Sequence, residues 1–175
     1  MHGDKVYQRL EHARRDGGLL GFALLTRRVL CGEQAYHDHS IMNYFAYGSN
    51  MDVQQMAVRC PDATVLCVVK LPGHKFLINT HGVATVVPAK NRVVHGVLWE
   101  ISKRDEGNLD RYEGVASKFY RKAMVRVRMK NGNETEALIY FASDEQPGIP
   151  RPGYLEQVIA AATSHRLRAE NYYAP

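Results

Sequence analysis

Between Ala63 and Ile101 the chain carries four strand patterns in succession, "ATVLCVVKL", "HKFLI", "ATVVPA" and "VVHGVLWEI", with no helical spacing between them. Strands joined without a crossover helix pair antiparallel, so this stretch argues against a doubly wound β-α-β sheet. Downstream, "MVRVRMK" alternates apolar and basic residues, turns at Asn131-Gly132 and returns as "ETEALIYFA", the pattern of a tight hairpin. Helical segments only interrupt the series. One follows Asn50 or Asp52 and is closed by Pro61. A short one is capped by Ser102 and Asp105 and ends near Tyr112 to Gly114, and a terminal one, "YLEQVIAAATSHRLRA", follows the link "QPGIPRPG". The fold class is α+β, with a curved or barrel-like sheet.

At 175 residues the chain has room for one domain with a substantial core. It divides near Met42. Residues 1–41 mix a short charged helical pattern, a Gly-Gly break, an apolar patch and a polar tail without core periodicity, and are expected to be an N-terminal extension of uncertain structure. The longest apolar run, "GGLLGFALL", has nine residues, well short of the roughly 18 needed to cross a bilayer. The net charge of +5 is scattered and forms no block that would mark a nucleic-acid arm. Cys31, Cys60 and Cys67 form no C-x-x-C pair and no even framework, so they read as reduced thiols of a cytoplasmic protein. His37 and His39 lack further ligands at metal spacing and read as solvated. Arg126, Arg128 and Lys130 read as the wet face of a strand, and Trp99 as core. No G-x-G-x-x-G, Walker, H-E-x-x-H or G-x-S-x-G pattern is present.

The stretch "YFAYGSNM", Tyr44 to Met51, starts as a strand, breaks over Gly-Ser-Asn and restarts with helical spacing. Such a turn leaves backbone N–H groups unpaired around one spot, where an anion can be held with help from the following helix. Gly, Ser and Asn are also ordinary turn residues, and the loop alone does not specify a ligand.

Taken together, "YFAYGSNM", "HGVLWEIS", "LDRYEGVASKFYRK" and "IPRPGYLEQVIAAA" resemble the γ-glutamylcyclotransferase family in order and spacing, over nearly all of 42–175. The loop differs from the F-G-Y-G-S-L form of the glutathione-specific branch. The resemblance implies a single γ-glutamylcyclotransferase-like domain, a small mixed β-barrel with flanking helices, that releases 5-oxoproline from γ-glutamyl compounds. It implies no cofactor and no metal, a small-molecule γ-glutamyl substrate, no nucleic-acid or membrane partner, and a monomer or homodimer. Only Asn79, Thr80 and His81 link "HKFLI" to "GVATVVPA", where family members often carry a longer loop beside the pocket. The identity of the leaving group therefore stays open.

The chemistry fits the residues. The substrate's own α-amine attacks its γ-carbonyl, so no serine or cysteine nucleophile is needed, and one carboxylate can move the proton. Glu113 fits that role by its match to the family, and the alternative reading is an ordinary surface glutamate near a helix end. Tyr47, Gly48, Ser49 and Asn50 would hold either the glutamyl α-carboxylate or the developing oxyanion. Tyr120 matches the family's tyrosine after the glutamate and could donate a hydrogen bond in the pocket; Tyr140 and Tyr154 are weaker candidates. Two other classes stay open: a non-catalytic module binding a small carboxylate, and a nucleic-acid binder suggested by the basic strand.

Overall fold

Five strands close into a barrel in the computed structural model, which describes residues 40–172. The "GGLLGFALL" run, Cys31, His37 and His39 lie outside the described residues. Strand β1 (Ile41–Ala46) opens the domain. A 3₁₀ turn (Ser49–Met51) and helix α1 (Val53–Arg59) follow. Then come β2 (Thr64–Ile78), β3 (Ala84–Ser102), α2 (Lys103–Tyr112), β4 (Tyr120–Met129), β5 (Glu134–Ala142), α3 (Tyr154–Ser164) and a last 3₁₀ turn (Ala169–Asn171). The barrel order is β1-β3-β2-β4-β5, with β1 meeting β5 in parallel and every other neighbour antiparallel. This is the mixed α+β barrel that the pattern and the resemblance led to expect.

Two expectations are corrected. The four strand patterns between Ala63 and Ile101 are two long strands, β2 and β3, paired along their lengths. Pro72 and Gly73 look like a break, but the pairing resumes at His74↔Pro88 after a shift in register, so the hairpin bends and does not end. Helix α3 stops at Ser164 rather than running to Ala169. Arg166 takes φ 60°, and the Leu167 N–H returns to the Ala162 carbonyl at 3.0 Å. That turn carries Leu167 back into the core, where it is buried.

The core has two layers, and the period of two along the strands sorts residues between them. One layer draws on all five strands, with Phe45, Val69, Leu71, Val94, Val127 and Ile139, and so fills the barrel, with Tyr154 of α3 packed against it. The other joins Tyr44, Trp99, Ile101 and Tyr140 to Met56 of α1, Leu109 of α2 and Val158 of α3. Strands β1 and β5 serve both layers, which is why "YFA" and "ALIYFA" read as continuous apolar runs. On the outer face, Arg128 pairs with Glu134 at 2.9 Å and Arg126 stands opposite Glu136. The basic row is thus matched by an acidic one, which removes the motive for a nucleic-acid reading. Among the described residues, no helix is long and apolar enough to cross a membrane.

Closure of the barrel depends on a close approach at Gly96, where a Cβ would lie 2.3 Å from the Ala46 carbonyl oxygen and 2.6 Å from the Phe45 ring. Backbone on one side and a buried ring on the other leave little room to relax. Gly96→Ala is expected to lower stability by about 2–3 kcal/mol, read by urea denaturation. An unchanged midpoint would show that β1 and β3 can separate at no cost.

Candidate active site

Helix α2 is built to deliver the residue that follows it, Glu113. The Ser102 hydroxyl accepts the Asp105 N–H at 3.1 Å and Asp105 Oδ2 accepts the Ser102 N–H at 3.3 Å, a complete capping box. At the other end Gly114 takes φ 64° as the Gly114 N–H returns to the Arg111 carbonyl and the Val115 N–H to that of Asp110. This left-handed closure makes Glu113 the C-cap and packs Val115 against the core. Glu113 therefore sits where the chain leaves the helix, half-buried, with its side chain lining a pocket.

The opposite wall is the loop after β1. The Met51 N–H donates to the Gly48 carbonyl at 3.0 Å and forms the 3₁₀ turn, whose first N–H groups have no partner within it. Helix α1 starts only after Asp52, and the Asp52 carboxylate accepts from the Gln55 N–H at 2.8 Å. The expected help from a helix end is thus not available: the seven-residue helix is capped by its own chain. Gly48 has φ −116°, an ordinary value, so what the glycine secures is space. A Cβ there would lie 3.4 Å from the Tyr154 hydroxyl and 3.4 Å from the Ala84 Cβ.

All six residues singled out from the sequence, Tyr47, Gly48, Ser49, Asn50, Glu113 and Tyr120, line this one pocket. It also takes in Tyr140 and Tyr154, the weaker candidates, and Tyr44 and Ala84, which sequence reasoning missed. Tyr44 reads as a core aromatic because its ring is buried, packed edge-on to Tyr140 with centroids 5.8 Å apart, while its hydroxyl meets Asn50. The spacing of Tyr44 and Tyr47 around a strand end was the available signal.

Hydrogen bonds fix most of the wall. Asn50 Nδ2 donates to Glu113 Oε1 at 2.9 Å and to the Tyr44 hydroxyl oxygen at 2.8 Å. Tyr47 donates to the Tyr140 carbonyl at 2.6 Å, and the Tyr140 hydroxyl donates to Asp110 Oδ1 at 2.8 Å. Tyr120 donates to the Ala84 carbonyl at 2.7 Å, so its proton is already committed, contrary to the expectation that it donates into the pocket. Tyr154 accepts the Ala84 N–H at 3.1 Å and shares a hydrogen bond with the Ser49 side chain. Burial raises the pKa of Tyr44, Tyr47, Tyr120, Tyr140 and Tyr154, so these hydroxyls stay neutral. Burial likewise pushes the Glu113 carboxyl above its ordinary value, against the Asn50 hydrogen bond and the Arg59 charge, which pull it down. The result is one carboxylate of raised proton affinity among neutral groups. Among the described residues no group of three or more His, Cys, Asp or Glu stands ready to hold a metal.

Residues 93–174 match the AIG2-like family. The γ-glutamylcyclotransferase of Homo sapiens is 28% identical over 150 residues, covering 80% of this chain and 80% of that protein. That of Bos taurus is 29% identical with the same coverage. A solved γ-glutamyl cyclotransferase structure superposes with a TM-score of 0.70 at 28% identity, over 76% of this chain and 85% of the other. The family-model match runs from within β3 through α3 and so takes in Glu113 and Tyr120, and the chain is similar to γ-glutamylcyclotransferases in sequence and in fold.

Proposed function

We propose that this protein is a γ-glutamylcyclotransferase that releases 5-oxoproline from γ-glutamyl amino acids or amines. The observation that carries the reading is Glu113: one carboxylate oxygen is tied to Asn50, and the other has no partner among the described residues, in a pocket walled by neutral groups. The substrate's α-ammonium gives a proton to Glu113, and the freed amine attacks the γ-carbonyl carbon. The new C–N bond closes a five-membered ring and leaves a tetrahedral oxyanion. As that oxyanion collapses, the bond to the departing nitrogen breaks and Glu113 returns the first proton to it; the surplus proton on the ring nitrogen then passes to the freed amine, which leaves as an ammonium, so no water is consumed. A carboxylate of raised proton affinity suits both transfers.

The loop Tyr47–Asn50 supports this as the anion-holding wall. Gly48 leaves room beside Tyr154, and Ser49 and the first N–H groups of the 3₁₀ turn offer donors. Tyr120 supplies shape and a fixed hydroxyl oxygen rather than a proton. A small-molecule substrate is consistent with this pocket, whose walls are Tyr, Ser and Asn side chains gathered around Glu113.

Glu113→Gln tests the role directly. The glutamine can still accept from Asn50 but cannot take a proton, so 5-oxoproline release should fall by on the order of 100-fold or more while 5-oxoproline still binds. Stability should change in a set direction. Above the ordinary pKa of 4.5 the folded protein holds a proton that the unfolded chain has lost, so the parent loses stability as pH rises through the folded-state pKa. The Gln variant lacks this loss, and its melting temperature relative to the parent should climb across that window. Turnover within a few-fold of the parent would remove Glu113 as the acid/base. No release by the parent from any γ-glutamyl compound would leave the non-catalytic binding module.

Gly48 gives a graded test. At 3.4 Å a single methyl is in ordinary contact, so Gly48→Ala should keep most binding of 5-oxoproline, whereas Gly48→Val should crowd the Tyr154 hydroxyl and weaken it strongly by calorimetry. Equal affinity in both variants would take the loop out of the site. The same reading assigns the activity to residues 42–175. A chain beginning at Met42 forgoes one β1 pair, Ile41↔Ser102, and is expected to unfold cooperatively and stay active. Insolubility would show that earlier residues complete the fold.

A further inference from the structure

Arg59 ends α1, outside every motif that marks the site. Its Nη1 donates to Asn50 Oδ1, its guanidinium lies over the Tyr112 ring at 4.9 Å, and its backbone carbonyl accepts from the Asn108 side chain at 3.0 Å. It takes part in none of the ion pairs among the described residues. Arginine can only donate, so the Asn50 atom that it meets must be the oxygen. The other end of the amide, Nδ2, must then face Glu113 and Tyr44, and both of its hydrogens are used there. Without Arg59 a 180° turn of the amide would set an oxygen against the carboxylate.

We infer that Arg59 is a positioning residue for Glu113, fixing the Asn50 amide so that the carboxylate is held by a donor and its second oxygen is left to the substrate. The inference rests on the reading of Glu113 as proton carrier. The surroundings of Glu113 make Arg59 the decisive charge. The groups that act electrostatically with it are Tyr44 of β1, Tyr47 and Cys60 in the segments flanking the 3₁₀ turn and α1, Tyr120 of β4 and Tyr154 of α3. Burial keeps every one of these neutral, the Cys60 thiol being pushed up to about 12. The one full charge that acts on Glu113 among the described residues is the guanidinium across Asn50, and it favours the ionised carboxylate.

The experiment compares the parent, Arg59→Met and Arg59→Lys, reading 5-oxoproline release against pH, thermal unfolding, and the Glu113 titration by carboxyl ¹³C NMR. Arg59→Met should lose about 10- to 100-fold in kcat with a smaller change in KM, as expected for a misplaced proton carrier. Its Glu113 titration midpoint and the acid limb of its rate profile should both move to higher pH. Arg59→Lys keeps a donor and the charge, and should bring the midpoint and most of the rate back. A lowered melting temperature with an unmoved Glu113 midpoint in Arg59→Met would make Arg59 a structural residue only and overturn the inference. If the parent releases no 5-oxoproline, the proposed function fails, and the NMR titration still decides the coupling of Arg59 to Glu113.

Discussion

The parallel meeting of β1 with β5 holds the rest of the structure in place. Two hairpins and the β2–β4 contact give an antiparallel sheet, but its outer strands close into a barrel only if β1 bridges them. It does so with six register pairs to β3 and one parallel pair to β5, Tyr44↔Leu138. Where that ladder is short, the Asn43 side chain donates to Thr135 Oγ1 and to the Glu136 carbonyl, each at 3.1 Å, satisfying polar groups at the seam. Burial on both faces adds the apolar drive: Phe45 goes into the barrel and Tyr44 and Ala46 go under the helices. Because β1 is pinned in this way, the loop that follows it has one position, opposite the end of α2.

Helix α2 is fixed to the barrel by charge as well as by Leu109. Lys122 of β4 bridges Glu106 at 2.6 Å and Asp110 at 2.8 Å, and Asp110 also accepts the Tyr140 hydroxyl. Lys103 reaches the same Glu106. Such a network adds little as isolated surface pairs, but Glu106 is buried, and losing either lysine would leave a carboxylate short of partners. Its effect is to set the helix in register, which sets Glu113. The catalytic reading therefore depends on two anchored elements, β1 and α2, whose pocket ends are joined by the hydrogen bond from Asn50 to Glu113.

Much of this was legible in the sequence because the signals are local. A capping box, a glycine after a helix end, an Asn-Gly turn and a strand breaking into Gly-Ser-Asn each act within a few residues, through backbone groups that must find partners. They located α2, the β4–β5 hairpin and the loop, while Glu113 was singled out at the end of α2 by the resemblance. The same local logic misjudged β2 and β3, since Pro72 and Gly73 suggest a break and only pairing to a partner strand shows that the ladder resumes. It also ran α3 too far, because the buried place waiting for Leu167 is not a property of the helix. Tyr120 was recognised as a pocket residue, yet the carbonyl that takes its proton, Ala84, lies 36 residues away.

The sequence by itself determined the alternating strands, the caps and turns, the barrel-like class, and the residue types available for proton transfer and anion binding, because each depends on spacing along the chain. Tertiary structure decided which of those residues meet. Asn50 and Glu113 are 63 residues apart, and Tyr47 and Tyr140 are 93 apart. Arg59 became a partner of Asn50 only when α1 folded back over the 3₁₀ turn, and Tyr44 became part of the wall only when closure turned its hydroxyl toward that amide. The direction of the Glu113 shift belongs to the same level, since desolvation and the field of a neighbouring guanidinium exist only once the pocket has formed.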